Sequence, residues 1–250
     1  MDAAVCLEGA LVRDNRRIMT AWGLELPDGF GSFFPDGNFV GYGEQLEAAF
    51  NVMTADEKTY YNNQVTSYRL HVSQCFTFEH GTMHGEQRVF RPVADYEWPA
   101  EFQMKRRYQK LGALIKSVNM LLLVEKGFKD IVENLEPDIH QFRPIKLSLP
   151  SDEVYPGEYF TMVIGRYLSA FDPERSPRDI WRDIGGQYSA VVFNKANAAV
   201  GAMKKSVVSG CHLWRDRLAR HPNIFLSDTL RSEVRNAGLS LPKHFQMREV

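Results

Sequence analysis

A chain of 250 residues, 44% hydrophobic and 24% charged, is long enough to bury a real core and too apolar to stay disordered. Its formal net charge of −1 argues against a general polyanion binder, which would carry a clear basic excess, so no nucleic-acid partner is expected. Three scattered cysteines, Cys6, Cys75 and Cys211, form no CxxC pair and fit a reducing compartment better than a disulfide scaffold.

The opening MDAAVCLEGALVRDNRR has an acidic residue at once and no apolar core of signal-peptide length. MLLLV, at 120–124, is far too short to span a bilayer. The expectation is a cytoplasmic protein without a membrane partner. Residues 22–43, WGLELPDGFGSFFPDGNFVGYG, are dense in glycine and aromatics, and two Pro-Asp-Gly turns punctuate them, which predicts a loop or short hairpin. Residues 44–61 read as a helix with Leu46, Phe50 and Met53 about one turn apart. SYRLHVSQCFTF alternates, with Leu70, Val72, Phe76 and Phe78 on one side, which predicts a half-buried strand. Gly81 and Gly85 bracket a turn, and QRVFRPV is its return strand.

Residues 100–118 give a helical stripe of Met104, Tyr108, Leu111, Ile115 and Val118, preceded by Pro99, with Lys105, Arg106, Gln109, Lys110 and Lys116 on the other faces. Two similar phrases follow. LLLV runs into a helix bearing Phe128, Ile131, Val132 and Leu135, stopped by Pro137, and then into HQFRPIKLSL. IFLS runs into a helix capped by Ser227 or Asp228, with Leu230, Val234 and Ala237 buried and Gly238 at its end, and then into KHFQMREV. Strand, helix, strand is thus used twice, a pseudo-repeat unless two generic amphipathic patterns coincide. Between them, YFTMVIGRYL reads as strand, Ser176-Pro177 to Gly185-Gly186 as helix, and QYSAVVFNK as a buried strand. The fold class is α+β, with mixed sheets and short amphipathic helices. An N-terminal part, 1–100, precedes a second part, 101–250, with one continuous fold as the other possibility.

His71, Cys75, Glu79, His80 and His84 form the densest group of metal-capable side chains. Strand residues four apart lie about 13 Å from one another, too far to share one ion, so no metal is expected. No phosphate loop, dinucleotide fingerprint or nucleophile elbow occurs, so neither catalytic residues nor a cofactor is assigned. Basic residues cluster at Lys105-Arg106-Arg107 and across Lys204, Lys205, Arg215, Arg217 and Arg220. They read as solvated faces of two helices, or else as contacts for nucleic acid or an acidic partner. Phe30, Phe33, Phe34, Phe39 and Tyr42 are many aromatics for a turn-rich segment, and serve either an interface or a satellite cluster of the core.

LVEKGFKDIVENLEP with HQFRPIKL, then YFTMVIGRYLSAFDPERS, then IFLSDTLRSEVRNAGL resemble a bacterial family. It is the immunity-protein family known as the eleventh group of polymorphic toxin systems. Its helix start, its Asp-x-x-x-Ser loop and its C-terminal strand–helix unit correspond to Glu125 onward, Asp172 with Ser176, and Ser227 through Leu239. The resemblance covers roughly residues 105–250. It implies a non-enzymatic antidote that binds one cognate toxin and blocks it, with specificity on loops carried by the scaffold. The candidate contacts are Phe33, Phe34, Asp36, Phe39 and Tyr42, with Lys105, Arg106 and Arg107 as a second group. The rival expectation is an enzyme or regulator working in a cleft between the two parts.

Overall fold

The computed structural model describes residues 20–63, 67–79, 81–82 and 89–250. In chain order it begins with strand β1 (Ala21–Glu25), the short β2 (Gly37–Phe39), and helices α1 (Tyr42–Asn51), α2 (Ala55–Asn63) and α3 (Tyr68–Cys75). The single helix expected over 44–61 is therefore two. Thr54 and Glu57 explain the break: the Glu57 carboxylate accepts from Thr54 N–H at 2.8 Å, while Thr54 Oγ1 accepts from Glu57 N–H at 3.3 Å. This reciprocal cap starts a new helix. The strand expected from Ser67 is also overturned, because α3 buries Tyr68, His71, Val72 and Cys75, a helical i, i+3, i+4, i+7 stripe, and leaves Leu70 exposed. The alternation exists only if His71 and Cys75 are counted as polar, and both are buried.

Strands β3 (Gly81–Thr82) and β4 (Val89–Phe90) pair with each other; Gly85 lies outside the described residues. The helix expected over 100–118 is instead strand β5 (Glu101–Met104), a loop, and strand β6 (Leu114–Lys116). Residues 111–117 are all buried, which no amphipathic surface helix allows. Then come β7 (Leu122–Glu125), α4 (Lys126–Leu135), β8 (Gln141–Ser148) and β9 (Tyr159–Val163), as the sequence pattern indicates.

The chain continues through β10 (Tyr167–Leu168) and β11 (Phe171–Asp172). The helix expected from Ser176 is a single turn, with Trp181 N–H on the Pro177 carbonyl at 2.8 Å. It is followed by a hairpin of β12 (Trp181–Ile184) and β13 (Gln187–Ala190). Gly185 and Gly186, at φ +66° and +86°, make the two-residue turn that both left-handed positions require. The rest is α5 (Lys195–Val200), β14 (Ala202–Met203), α6 (Lys205–Val208), β15 (Leu213–Asp216), β16 (Ala219–His221), β17 (Ile224–Ser227), α7 (Asp228–Asn236), β18 (Lys243–Gln246) and β19 (Arg248–Glu249).

Two larger sheets organise these elements into an α+β fold. One has the order β2-β5-β8-β9-β7-β6, the other β10-β15-β17-β1-β18. β7 and β8 both run antiparallel to β9, which lies between them, and β17 and β18 both run antiparallel to β1. Each strand–helix–strand segment thus returns parallel to itself with one antiparallel strand inserted. Strands β7 and β17 are buried at successive positions because both of their faces are covered. Leu122 and Val124 join one core with Ile224, Leu226, Phe128 and Leu230; Leu123 and Phe225 turn to separate clusters behind each sheet. Helices α4 and α7 meet over this shared core through Phe128, Val132, Leu230 and Val234. Two N-terminal strands join these sheets: β1 lies inside the second sheet, and β2 borders β5 in the first.

Ser227 Oγ accepts from Leu230 N–H at 3.1 Å, and Gly238 ends α7 at φ +70°, while Ala237, expected in the buried stripe, is exposed. In the Asp-x-x-x-Ser loop, Asp172 Oδ1 accepts from Glu174 and Arg175 N–H, and Ser176 Oγ donates to the Asp172 carbonyl at 2.7 Å. That loop is scaffold. Among the described residues no helix is long and apolar enough to cross a membrane.

Candidate partner-binding surface

Residues 28–37 fold over the segment 105–116. Gly31 and Phe34 exchange backbone hydrogen bonds of 2.8 and 3.1 Å, closing a tight corner at Ser32-Phe33. That corner is pinned from below: Gly112 N–H donates to the Ser32 carbonyl, Lys116 N–H to the Phe33 carbonyl, and Lys105 N–H to the Asp36 carbonyl, all within 2.9 Å. Asp36 N–H donates to Tyr108 Oη at 2.8 Å. The Phe33 ring lies on Gly112, where a Cβ would come within 2.2 Å of it, so only glycine fits there.

The two candidate groups, some 70 residues apart in sequence, are thereby adjacent. The Asp36 carboxylate sits 3.6 Å from Lys105 Nζ and 3.5 Å from Arg106 Nε. Arg107 pairs with Glu153 at 2.8 Å, with both side chains more than 60% exposed. Such exposed pairs are worth little, roughly 0–1 kcal/mol, so each guanidinium can change partner at small cost. Phe34 lies under Lys116 Nζ at 4.5 Å and tilts against Phe30 with ring centres 4.9 Å apart. Phe30 is 53% exposed. A small aromatic platform with a mobile-charge rim results, carried on a backbone that is already hydrogen-bonded.

Phe39 and Tyr42 stand apart from this platform. Phe39 packs edge-on against Phe102 and Tyr42, at 5.2 and 5.6 Å. Tyr42 is buried, and its Oη donates to the Glu97 carbonyl at 2.8 Å. Burial, with the Glu97 charge second, pushes its phenol far above the ordinary range. Phe30 is the residue that pattern reading undervalued; its turn glycines on both sides, Gly29 and Gly31, were the available signal.

The other expected sites are rearranged. His71 and Cys75 lie on α3, so the strand-spacing argument against a metal loses its premise; His80 and His84 lie outside the described residues. His71 packs edge-on to Tyr61, and among the described residues no three His, Cys, Asp or Glu side chains are grouped to hold a metal. Lys204, Lys205, Arg215, Arg217 and Arg220 do not share helix faces. Arg215 is on β15 and buried, and Arg217 pairs with Glu79.

The immunity protein family (Imm11) matches residues 52–247, more than three quarters of the chain. The chain belongs to that family. The matched span takes in both strand–helix–strand segments and the basic run 105–107, whereas the aromatic platform residues Phe30 and Phe34 and the inserted strand β1 precede it. No curated protein matches this immunity-family chain.

Proposed function

We propose that this chain is an antidote: it binds one cognate bacterial toxin domain in the cytoplasm and neutralises it by tight, non-catalytic binding. The observation that carries the reading, beside family membership, is the platform of Phe30 and Phe34 rimmed by Asp36, Lys105, Arg106 and Arg107. Its backbone is already fixed, so little ordering entropy is lost on binding. Aromatic and arginine anchors are the side chains that dominate interface energetics. The free, buried thiols of Cys75 and Cys211 suit a reducing compartment.

An antidote must hold nearly all copies of its toxin, which calls for nanomolar binding, about −12 kcal/mol. The test is coexpression. Cells carrying the toxin domain encoded beside this gene are expected to survive only when this chain is present, and the purified pair to bind with a nanomolar or lower Kd. Equal death with and without the chain defeats the reading.

A further inference from the structure

A cavity of about 400 Å³ opens between the segment after α3, residues 77–79, the edge of the second sheet at β10 and β15, and the neighbouring β13 and β16 of the three-stranded sheet β12-β13-β16. Arg215 lines it and is only 5% exposed. Among the described residues its Nε has no hydrogen-bond partner, and no carboxylate stands within ion-pair reach of its guanidinium. Its chain neighbour Asp216 also lines the cavity, but its carboxylate is taken up by the backbone rather than by Arg215. That carboxylate accepts four backbone N–H groups, from Ala170, Phe171, Leu218 and Ala219, at 2.7–3.1 Å. Tyr167 lines the same cavity, and its buried Oη also lacks a partner. Arg217 at the wall is neutralised by Glu79, and Arg220 is exposed at the mouth.

A buried cation without a counter-ion costs several kcal/mol, which a scaffold retains only against some offsetting gain. A planar guanidinium beside a phenol O–H is a fork of donors that matches the two oxygens of a carboxylate. With Arg217 paired to Glu79 and the Asp216 carboxylate held by backbone N–H groups, Arg215 is the buried cation of this cavity without an ion-pair partner among the described residues, and a carboxylate matches its single charge. We infer that this cavity binds a carboxylate group, held by Arg215 and Tyr167. The group comes from a small organic acid or from a polypeptide that inserts an acidic side chain or chain end. The inference does not depend on toxin binding, and either can fail alone.

The test is calorimetric titration of the full chain at constant ionic strength. The probes are succinate, a capped glycyl peptide with a free C-terminal carboxylate, its C-terminal amide, and inorganic phosphate. Saturable one-to-one binding is expected for succinate or the free-acid peptide and not for the amide, and the tighter of the two names the source. Arg215→Met should weaken it about tenfold or more, and Tyr167→Phe roughly fivefold. The ligand-free Arg215→Met chain should melt higher than the parent, since an unpaired buried charge is gone. Tyr167→Phe decides alone if Arg215→Met does not fold. No binding by either carboxylate, binding by phosphate alone, or affinity unmoved by the variants overturns the proposal.

Discussion

Glu97 shows how much one side chain can hold together here. It is fully buried and accepts from Tyr68 Oη at 2.5 Å, from Ala94 N–H at 2.8 Å and from both terminal nitrogens of Arg91. These contacts join α3 to the segment entering β5. Burial by itself raises its carboxyl pKa, but the Arg91, Tyr68 and Ala94 hydrogen bonds outweigh it and hold the group below the usual 4.5. Glu136 repeats the design at the end of α4. Burial again raises, while His140 and the N–H groups of His212 and Leu213 prevail, so that group too lies below 4.5. Depressed carboxylates stabilise the fold above their unfolded pKa and lose that contribution as pH falls through the folded value. Stability measured by urea unfolding should therefore hold from pH 7 to about 5 and decline below about 4.5. The double variant Glu97→Gln, Glu136→Gln should be weaker at pH 7 with a shallower acid decline; an unchanged decline would mean that other groups control it. Glu97→Ala should cost about 3 kcal/mol, the low end for breaking a buried pair, because Arg91 is one-third exposed and can rehydrate.

Among the elements, the best-determined from sequence are those whose pattern and end signals agree. β17 and α7 combine an apolar run, a capping serine, a buried i, i+4 pair and a left-handed glycine, and every one of these is realised. Ser227 does more than cap. Its Oγ also meets His212 Nδ1 at 2.8 Å, and the residue is 1% exposed. Ser227→Ala should therefore cost about 2 kcal/mol, the upper end for a lost cap, since it leaves a buried partner unsatisfied. A loss below about 0.5 kcal/mol in chemical denaturation would show the cap to be dispensable. The misread elements share a cause. Over 101–116 a helical spacing of apolar residues coexists with strands because Met104, Leu111 and Ile115 reach one cluster from a strand, a loop and another strand. Spacing along the chain cannot tell a shared helix face from a shared tertiary core. Lys116, expected on a polar face, is buried beside the Phe34 ring for the same reason. At 176–186 the paired glycines fit both a helix stop and a hairpin corner, and pairing with a distant strand, β16, selects the second.

At the scale of the molecule, the candidate surface was legible as two segments but not as a surface. Sequence shows an aromatic, turn-rich stretch and a basic run; only folding shows that backbone bonds from Gly112, Lys116 and Lys105 bring them together. Nor does composition tell which aromatics point outward. Gly112 draws Phe33 down, and Phe102 and Tyr42 pack on Phe39, while Phe30 is the exposed ring and the partly buried Phe34 lies between it and Lys116. This separation makes the antidote reading testable by substitution. Phe30→Ala with Phe34→Ala removes contact area at the rim of the fold, so protection should fall while the melting temperature stays nearly unchanged. Each anchor is expected to cost roughly 2 kcal/mol of affinity, about thirtyfold in Kd. Phe39→Ala should behave the opposite way, with a clear fall in melting temperature, because its ring fills a junction between two core clusters. Arg106→Ala and Arg107→Ala should act mainly on the association rate, and their effect should shrink as salt is raised, since steering by exposed charge is screened. If Phe30→Ala and Phe34→Ala leave toxin affinity intact while the toxin is still bound, the contact lies on another face of the chain, and this platform is only a lid over β6.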